Sequence, residues 1–311
     1  MANSFKLLDL FSGIGGFHLG LEQAGFKFDW TGFSEIDKYA NKQYKKRFPN
    51  ARELGDVTAI QCEDLPKDID ILCGGFPCQT FSIAGKRKGF DDTRGTLFFE
   101  IARVLRHFRD VGKPIPYFIL ENVKGLLNHE DGRSFATIYG VLADLDYTIE
   151  CELLNTRNFS CPQNRERIYI VGRFRGEPRR KIFPIGEDDK KVRKSRQVAR
   201  CISSGYYKQG NQEFYLKQIG TIGEDSEATR VYDPNGCART IKNGGGMGAK
   251  TGLYQVENLK IRRLTPTECE RLQGFPDGWT EGQSDTQRYK QLGNAVSVPV
   301  VKAIAEKLIS L

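Results

Sequence analysis

Short apolar stretches alternate with longer amphipathic ones through the first two hundred residues of the chain. The short stretches are rich in β-branched residues and predict strands, whereas the longer ones space their apolar residues as a helix does. The predicted strands cover 6–11, 30–34, 69–73, 117–120 and 168–174. The predicted helices cover 17–24, 38–48, 97–108 and 135–144. This alternation predicts βαβ units, and therefore an α/β fold with a parallel sheet.

The pattern changes after about Phe183, where lysine and arginine become frequent and the periodicity weakens. Glycines are concentrated in 242–252, which predicts loops rather than regular elements. We therefore expect a second, smaller unit of short strands and loops. Helical patterning returns at 266–272 and again at 300–308.

Length and composition leave room for one large domain or two unequal ones, since the chain has 311 residues of which 39% are hydrophobic. No run of about 18 apolar residues occurs, and the first residues lack the charged and then apolar order of a secretory signal. We expect an intracellular protein without a membrane span.

The formal net charge of +8 favours a polyanionic partner, because lysines and arginines that neutralise phosphates release condensed counterions. Basic residues cluster in 86–88, 179–181 and 190–194, although a solvated surface explains each cluster equally well. The eight cysteines form no CxxC pair, and the three histidines do not stand at zinc-ligand spacing from such a pair. We expect neither a disulfide framework nor a metal site.

Three possible ligand contacts follow predicted strands. Residues 12–16 form a glycine-rich turn into a helix, where a ligand can approach the backbone closely. Glu35 ends the second strand and can bind both hydroxyls of a ribose. Asp56 sits at a plausible strand end and can accept a hydrogen bond from an adenine amine. A packing turn, a helix cap or a surface charge remains the alternative for each one. Taken together at one sheet edge, they fit S-adenosylmethionine.

Cys78 differs from the other cysteines because it follows Pro77, which lacks an N–H and restricts the backbone. The polar segment 80–95 beyond it is too long for an ordinary tight connection. A thiol beside a loop that can close suits an enzyme that encloses an extruded base. Cys73, inside the predicted strand, is expected to be packing only.

Six motifs in this order resemble the DNA (cytosine-5) methyltransferases, of the compact bacterial or phage restriction-modification type, over nearly the whole chain. They occupy 8–16, 74–79, 121–123, 163–167, 263–276 and 291–296. In such a reaction a thiolate adds to carbon 6 of cytosine, so that carbon 5 becomes able to attack a methylsulfonium. Glu121, at the end of an apolar strand, has a reason to hold a proton near nitrogen 3, and Arg165 can donate to the base carbonyl. A structural ion pair is the alternative for either residue.

The resemblance implies a Rossmann-like, S-adenosylmethionine-dependent methyltransferase domain and a smaller, strand- and loop-rich target recognition domain. The first would comprise 1–185 and 264–311, and the second 186–263. The implied activity is transfer of a methyl group to carbon 5 of a cytosine flipped out of a specific short site in double-stranded DNA, through a covalent Cys78 adduct at carbon 6.

The resemblance also implies a set of site residues. The catalytic residues would be Cys78, Glu121, Arg165 and Arg167. The S-adenosylmethionine-binding residues would be Phe11, Gly13, Gly15, Gly16, Glu35, Ile36, Asp56, Pro77, Leu97, Asn294 and Val296. The DNA-binding residues would be Ser82, Lys86, Arg94, Arg230, Arg239 and Thr240. Asn243 and Lys242 are further candidates for reading base edges.

Three other interpretations of the sequence make different predictions. An amino-methyltransferase would carry an Asp/Ser/Asn-Pro-Pro-Tyr/Phe motif, which the sequence lacks. A transfer-RNA cytosine-5 methyltransferase would share the fold, although the recognition region favours duplex DNA. A DNA-binding protein without activity would not need Cys78, Glu121 and Arg165 together. We expect a cytoplasmic, nucleoid-associated monomer, and the resemblance leaves open whether a cognate restriction endonuclease acts alongside it.

Overall fold

A computed structural model describes residues 4–77, 97–159, 161–176, 181–185, 217–243, 251–256 and 260–309. The chain divides into two compact units. The first unit comprises Met1–Leu153, Arg167–Pro184 and Glu306–Leu311, and the second comprises Leu154–Glu166 and Ile185–Ala305. The predicted recognition domain at 186–263 is defined by function and stays a prediction. No helix within the described ranges is both long and apolar enough to cross a membrane.

The described residues form thirteen strands and seven α-helices. The strands are β1 (Phe5–Leu10), β2 (Phe28–Ser34), β3 (Arg52–Gly55), β4 (Ile71–Gly75), β5 (Tyr117–Val123), β6 (Tyr147–Asn155), β7 (Gln163–Asn164), β8 (Glu166–Phe174), β9 (Gln218–Thr221), β10 (Arg230–Tyr232), β11 (Ala238–Arg239), β12 (Leu253–Gln255) and β13 (Ile261–Arg263). The helices are α1 (Gly16–Gln23), α2 (Lys38–Arg47), α3 (Leu97–Asp110), α4 (Arg133–Asp144), α5 (Pro266–Gln273), α6 (Asp285–Asn294) and α7 (Val298–Ile309).

The large sheet has seven strands in the order β3-β2-β1-β4-β5-β8-β6. Strands β1 to β5 all run parallel to one another, as the alternation predicts. The predicted parallel arrangement is wrong for β8, which pairs with β5 in the antiparallel sense. A strand buried on both faces shows a continuous apolar run in either direction, so its sequence does not reveal which way it runs.

The apolar pattern did not predict the two edge strands of this sheet, β3 and β6, although Asp56 is predicted at a plausible strand end and does follow β3. β3 and β6 contain several charged or exposed residues, which hides their apolar pattern. The sequence also gave no sign of α6, whereas the predicted helices at 266–272 and 300–308 are confirmed as α5 and α7. Edge positions tolerate polar side chains, and that tolerance removes the signal on which prediction relies.

The core of the first unit lies between the sheet and the helices that follow its strands. Leu8, Leu72 and Phe118 pack with Phe98 and Leu105 of α3, and each is almost completely buried. The Phe118 ring occupies the space that a Cβ on Gly172 of β8 would take. Close packing at this density makes the strands a rigid support for the loops at their ends.

The second unit contains a four-stranded sheet in the order β13-β12-β10-β9 and a parallel pair, β11 with β7. Helix α5 begins with a capping box between Thr265 and Glu268. The fully buried Glu270 carboxylate accepts hydrogen bonds of 2.7 Å from the backbone N–H groups of Gly278 and Thr280. These bonds fix the turn that follows α5.

A carboxyl group is buried inside the core of the first unit. Asp9, on β1, is fully buried, and its Oδ2 accepts a hydrogen bond of 3.2 Å from the Tyr44 hydroxyl. The same hydroxyl lies 3.0 Å from Nδ1 of the buried His18. Among the described residues no hydrogen-bond partner reaches Asp9 Oδ1. Burial raises the pKa of Asp9 well above its ordinary value, although the Tyr44 hydroxyl opposes the shift.

We expect Asp9→Asn to change how stability depends on pH. Because the pKa of Asp9 is higher in the folded protein, its contribution to stability is complete below the pKa of the unfolded chain, about 3.9, and falls as pH rises above it. Asparagine does not ionise, so the variant does not lose stability in this way as pH rises. The melting temperature of the variant minus that of wild type should therefore increase from pH 5 to pH 8. The free-energy difference should change by at most about 1.4 kcal/mol per pH unit.

Asp68→Asn is the matched control, because Asp68 lies at the surface and its hydrogen bond with Lys6 lowers its pKa. A group with a lowered pKa loses its contribution only at acid pH. The control should therefore differ from wild type by a constant amount between pH 5 and pH 8. A constant difference for Asp9→Asn as well would mean that Asp9 is ionised in the folded protein throughout this range.

Candidate active site

The turn between β1 and α1 is built from residues with positive φ angles. Phe11 has φ of 54°, Gly13 of 55° and Gly15 of 84°. A Cβ on Gly15 would collide with the Phe48 ring, so this glycine is needed for packing. A Cβ on Gly13 would meet no described atom within 4 Å, so this face of the turn is open to a ligand. Gly16 is the first residue of α1.

Glu35 connects this turn to the end of β2. Its Oε2 accepts a hydrogen bond of 2.8 Å from the Gly13 N–H, and its Oε1 accepts one of 2.7 Å from the Asp37 N–H. Burial raises the pKa of Glu35, while the two backbone donors act in the opposite direction. Each oxygen has a second lone pair, so the carboxylate can accept further hydrogen bonds from a diol.

Ile36 lies just beyond the end of β2, and Asp56 lies just beyond the end of β3. Ile36 is 75% exposed, which is unusual for isoleucine and leaves an apolar surface beside the Glu35 carboxylate. Asp56 follows β3, and its Oδ1 accepts hydrogen bonds of 2.9 Å from the Thr58 N–H and hydroxyl. Asp56 therefore caps the turn that follows β3, as one of its predicted alternatives states. Its other oxygen, Oδ2, can still bind a ligand.

These groups fit the nucleoside part of S-adenosylmethionine. The open face of Gly13, a carboxylate for ribose hydroxyls and an exposed apolar side chain for adenine occupy neighbouring strand ends of one parallel sheet, where such folds bind ligands. Pro77 follows β4 and Leu97 begins α3, both in the first unit. Asn294 and Val296 belong to the second unit, where Asn294 ends α6 and is exposed while Val296 is buried.

Glu121 lies on β5 in register with Gly75, the last residue of β4. It is 8% exposed, and its Oε1 lies 3.0 Å from Nε of Arg167. Arg167 lies on the antiparallel neighbour β8, opposite Val123. The pair therefore holds a carboxyl group level with the last residue of β4, the strand that leads to Pro77.

Asn122 was missed as a functional candidate. Its Nδ2 donates a hydrogen bond of 3.0 Å to the carbonyl oxygen of Phe76, so β5 fixes the backbone that precedes Pro77. A polar residue directly after Glu121, at the end of an apolar strand, was the available signal. Cys78, one residue beyond Pro77, lies outside the described residues, as do the loop candidates Ser82, Lys86 and Arg94.

Arg165 is separated from Arg167 by one residue but makes different contacts, within the second unit. Arg165 is 2% exposed, and its guanidinium donates to the carbonyl oxygens of Gly293, at 3.2 Å, and Ala295, at 2.9 Å. These bonds hold the backbone on both sides of Asn294. Arg165 thus supports the backbone around Asn294, and Arg167 is the arginine beside Glu121, while the bond from Arg165 to the base carbonyl stays a prediction.

The predicted DNA contacts in the second unit also have protein partners. Arg230 forms an ion pair with Asp225, at 2.8 Å. Arg239 is buried and forms an ion pair with Glu227, which also binds Lys242 at 2.6 Å.

Thr240 is the third predicted contact in this unit. Its Oγ1 donates a hydrogen bond of 2.6 Å to the Asn164 carbonyl oxygen. None of these contacts tests DNA binding, but direct reading of a base by Arg239 would require its guanidinium to leave Glu227.

Comparison with known proteins gives a consistent result. The family model described as C-5 cytosine-specific DNA methylase matches residues 5–310. The chain is 41% identical to the type II methyltransferase M1.ScrFI of Lactococcus lactis subsp. cremoris, covering 99% of this chain and 78% of the relative. It is 38% identical to the type II methyltransferase M.HhaI of Haemophilus parahaemolyticus, covering 96% and 93%.

The fold also resembles a solved structure of low sequence identity. The crystal structure of S. pombe Dnmt2 methyltransferase superposes with a TM-score of 0.74 at 22% identity, covering 98% of this chain and 97% of that one. At this identity the likeness concerns the fold alone.

We expect Glu35→Ala to weaken binding of S-adenosylmethionine by about 1.5 to 3 kcal/mol, the range for hydrogen bonds to a charged group. The change removes the proposed acceptor for the ribose hydroxyls and the acceptor of the Gly13 N–H. Isothermal titration calorimetry without DNA measures it. Glu53→Ala is the control, since Glu53 is a carboxylate near the surface that binds Lys45. Equal affinities for Glu35→Ala and wild type would remove Glu35 from the donor site.

Proposed function

Since the chain belongs to the family of C-5 cytosine-specific DNA methylases, we propose that it methylates a cytosine flipped out of a specific short site in double-stranded DNA, through a covalent Cys78 adduct. The family's reaction is cytosine-5 methylation of DNA, and its methyl donor is S-adenosylmethionine. The observation that carries the proposal is the Glu121–Arg167 pair at the end of β5, beside the strand that leads to Cys78.

The donor-binding residues of the first unit are proposed to act at separate points. Glu35 accepts hydrogen bonds from the ribose hydroxyls, Asp56 from the adenine amine, and Ile36 and Phe11 cover the base. The turn of Gly13 allows close approach to the backbone. When bound, S-adenosylmethionine supplies an electrophilic methyl group on a sulfonium. The other predicted donor-binding residues are Pro77, Leu97, Gly15 and Gly16 of the first unit, and Asn294 and Val296 of the second.

Cys78 is proposed as the nucleophile. Its thiolate adds to carbon 6 of the cytosine, and the electron pair of the 5,6 double bond moves towards carbon 5 and nitrogen 3. Carbon 5 then forms a bond to the methyl group, whose bond to sulfur breaks. Loss of the proton from carbon 5 to a base restores the double bond and expels the thiolate. Carbon 6 lies within the base stack of a duplex, so the cytosine must be extruded first.

Glu121 and Arg167 are proposed to stabilise the ring while Cys78 is attached. A carboxyl group at nitrogen 3 can hold a proton there as negative charge develops. The guanidinium of Arg167, 3.0 Å from that carboxyl group, orients it and can donate to the carbonyl oxygen of the base. Arg165 is proposed to donate to the base carbonyl oxygen as well, from a guanidinium that also bonds the Gly293 and Ala295 carbonyl oxygens.

Double-stranded DNA is the proposed substrate, with 186–263 as the target recognition domain. The net charge of +8 suits a phosphate backbone, and Arg230 and Thr240 are proposed to contact it, together with Ser82, Lys86 and Arg94. The bacterial relatives are type II methyltransferases, which supports a cytoplasmic, restriction-modification setting. A separate cognate endonuclease and a monomeric state remain part of the proposal.

Methyl transfer to duplex DNA and to transfer RNA distinguishes the two cytosine-5 activities. With labelled S-adenosylmethionine, we expect incorporation into genomic duplex DNA from an unrelated host and none into transfer RNA. Bisulfite sequencing of DNA from cells that express the chain then locates the methylated cytosine and its sequence context. Incorporation into transfer RNA alone would contradict the proposed substrate.

A duplex with 5-fluorocytosine at the mapped target tests the covalent step. Fluorine at carbon 5 cannot leave as a proton, so the reaction should stop after methyl transfer with the protein attached to the DNA. Wild type should give a denaturation-resistant complex when the donor is present, and Cys78→Ala should give none although seven cysteines remain.

Two further variants separate nucleophile from acid. Glu121→Gln should form the same complex at least about 10²-fold more slowly, the lower end of the usual contribution of a general acid. Cys73→Ala is the matched control, because Cys73 is fully buried in β4, and this variant should trap DNA like wild type. An adduct formed by Cys78→Ala would refute the mechanism.

A further inference from the structure

Two segments of the second unit come into direct backbone contact at Gly293. A Cβ on Gly293 would lie 2.5 Å from the amide nitrogen of Asn243 and 2.5 Å from the carbonyl carbon of Lys242. Real Cβ atoms do not approach backbone this closely, so only glycine allows the two segments to meet. The contact joins the end of the recognition segment, Ala238 to Asn243, to the end of α6.

Side chains reinforce this contact. Nδ2 of Asn243 donates a hydrogen bond of 2.8 Å to Oδ1 of Asn294. The carbonyl groups on either side of Asn294 accept hydrogen bonds from the buried Arg165 guanidinium. Asn294 is exposed between the buried residues Gly293 and Ala295, so its backbone is fixed while its carboxamide faces outward. With Oδ1 engaged, Nδ2 is the atom that can donate to a ligand.

The recognition segment is held at its other end as well. β11 pairs with β7, and the Thr240 hydroxyl donates to the carbonyl oxygen of Asn164. Asn164 directly precedes Arg165, which holds the backbone around Asn294. Both ends of the segment are therefore attached to the structure that supports Asn294.

We propose that Asn243 is a positioning residue that holds the Asn294 carboxamide in the orientation used to bind the methyl donor. The inference rests on the proposed function, in which Asn294 contacts S-adenosylmethionine. Its Nδ2 would donate to an acceptor, and the carboxylate of the methionine part is the suitable one. An asparagine that is already oriented loses less conformational freedom on binding, so the donor binds more tightly.

The same hydrogen bond gives the recognition segment an influence on donor binding. DNA that moves Asn243 on binding would change the affinity of the protein for S-adenosylmethionine. Because such coupling is reciprocal, S-adenosylmethionine would then change the affinity of the protein for DNA by the same factor. Asn243 would then act on the donor site from the part of the chain assigned to DNA recognition.

A double-mutant cycle on the full chain tests the proposal. The probe is S-adenosylmethionine without DNA, and calorimetry compares wild type, Asn243→Ala, Asn294→Ala and the double variant. Asn243→Ala should weaken binding by about 2- to 12-fold, which corresponds to one hydrogen bond. The double variant should bind no more weakly than Asn294→Ala alone, because Asn243 acts only through Asn294.

The controls address folding and kinetics. Asn235→Ala removes another exposed asparagine of the same unit, which bonds Asp233 within its own turn, and it should bind the donor like wild type. Asn243→Asp keeps the shape but replaces the donor with an acceptor that repels Asn294 Oδ1, so it should weaken binding at least as much as Asn243→Ala. With the mapped duplex as substrate, Asn243→Ala should raise KM for the donor more than it lowers kcat.

The outcomes separate this inference from the proposed function. If Asn294→Ala weakens donor binding and neither Asn243 variant does, the positioning role is wrong and the proposed function stands. If Asn294→Ala binds normally, the assignment of Asn294 is wrong and the inference falls with it. Additive losses in the double variant would show that Asn243 acts independently of Asn294, which also overturns the proposal.

Discussion

The parallel pairing of β2, β1, β4 and β5 is the constraint on which the rest of the first unit depends. Parallel strands deliver their carboxyl ends to one edge of the sheet, so the residues that follow them become neighbours whatever their distance in sequence. In this way the Glu35 carboxylate accepts a hydrogen bond from the Gly13 N–H, and Glu121 lies in register with Gly75. A one-residue slip in any of these registers would turn the side chains to the opposite face.

The antiparallel β8 has a different effect at the other side of β5. It brings Arg167 from a distant part of the chain to Glu121, where an ion pair replaces the water that a partly buried carboxylate would otherwise require. Within the second unit, Arg165 instead bonds backbone carbonyl groups around Asn294. Two arginines that belong to one short motif thus support two different groups.

Much of the first unit could be predicted because its information is local. Apolar runs followed by glycine or acid identify strand ends, and this was enough to bring Gly13 and Glu35 to one edge. The adjacency of Arg167 and Glu121 could not be predicted, since it depends on the direction of β8. Likewise, nothing near Arg239 shows that it is buried against Glu227, twelve residues earlier. The edge strand β6 could not be predicted, because exposure replaces part of its apolar pattern with polar residues.

The contact of Phe118 with Gly172 has a consequence for how the sequence can change. The Phe118 ring on β5 fills the space that a side chain at position 172 on β8 would need, so only one of the two positions can carry a large side chain. A larger residue at 172 is acceptable only after Phe118 has become smaller, and a smaller residue at 118 leaves a cavity unless 172 grows. These positions are therefore epistatic: each substitution alone is selected against, and a lineage can exchange the pair only by passing through a less stable intermediate.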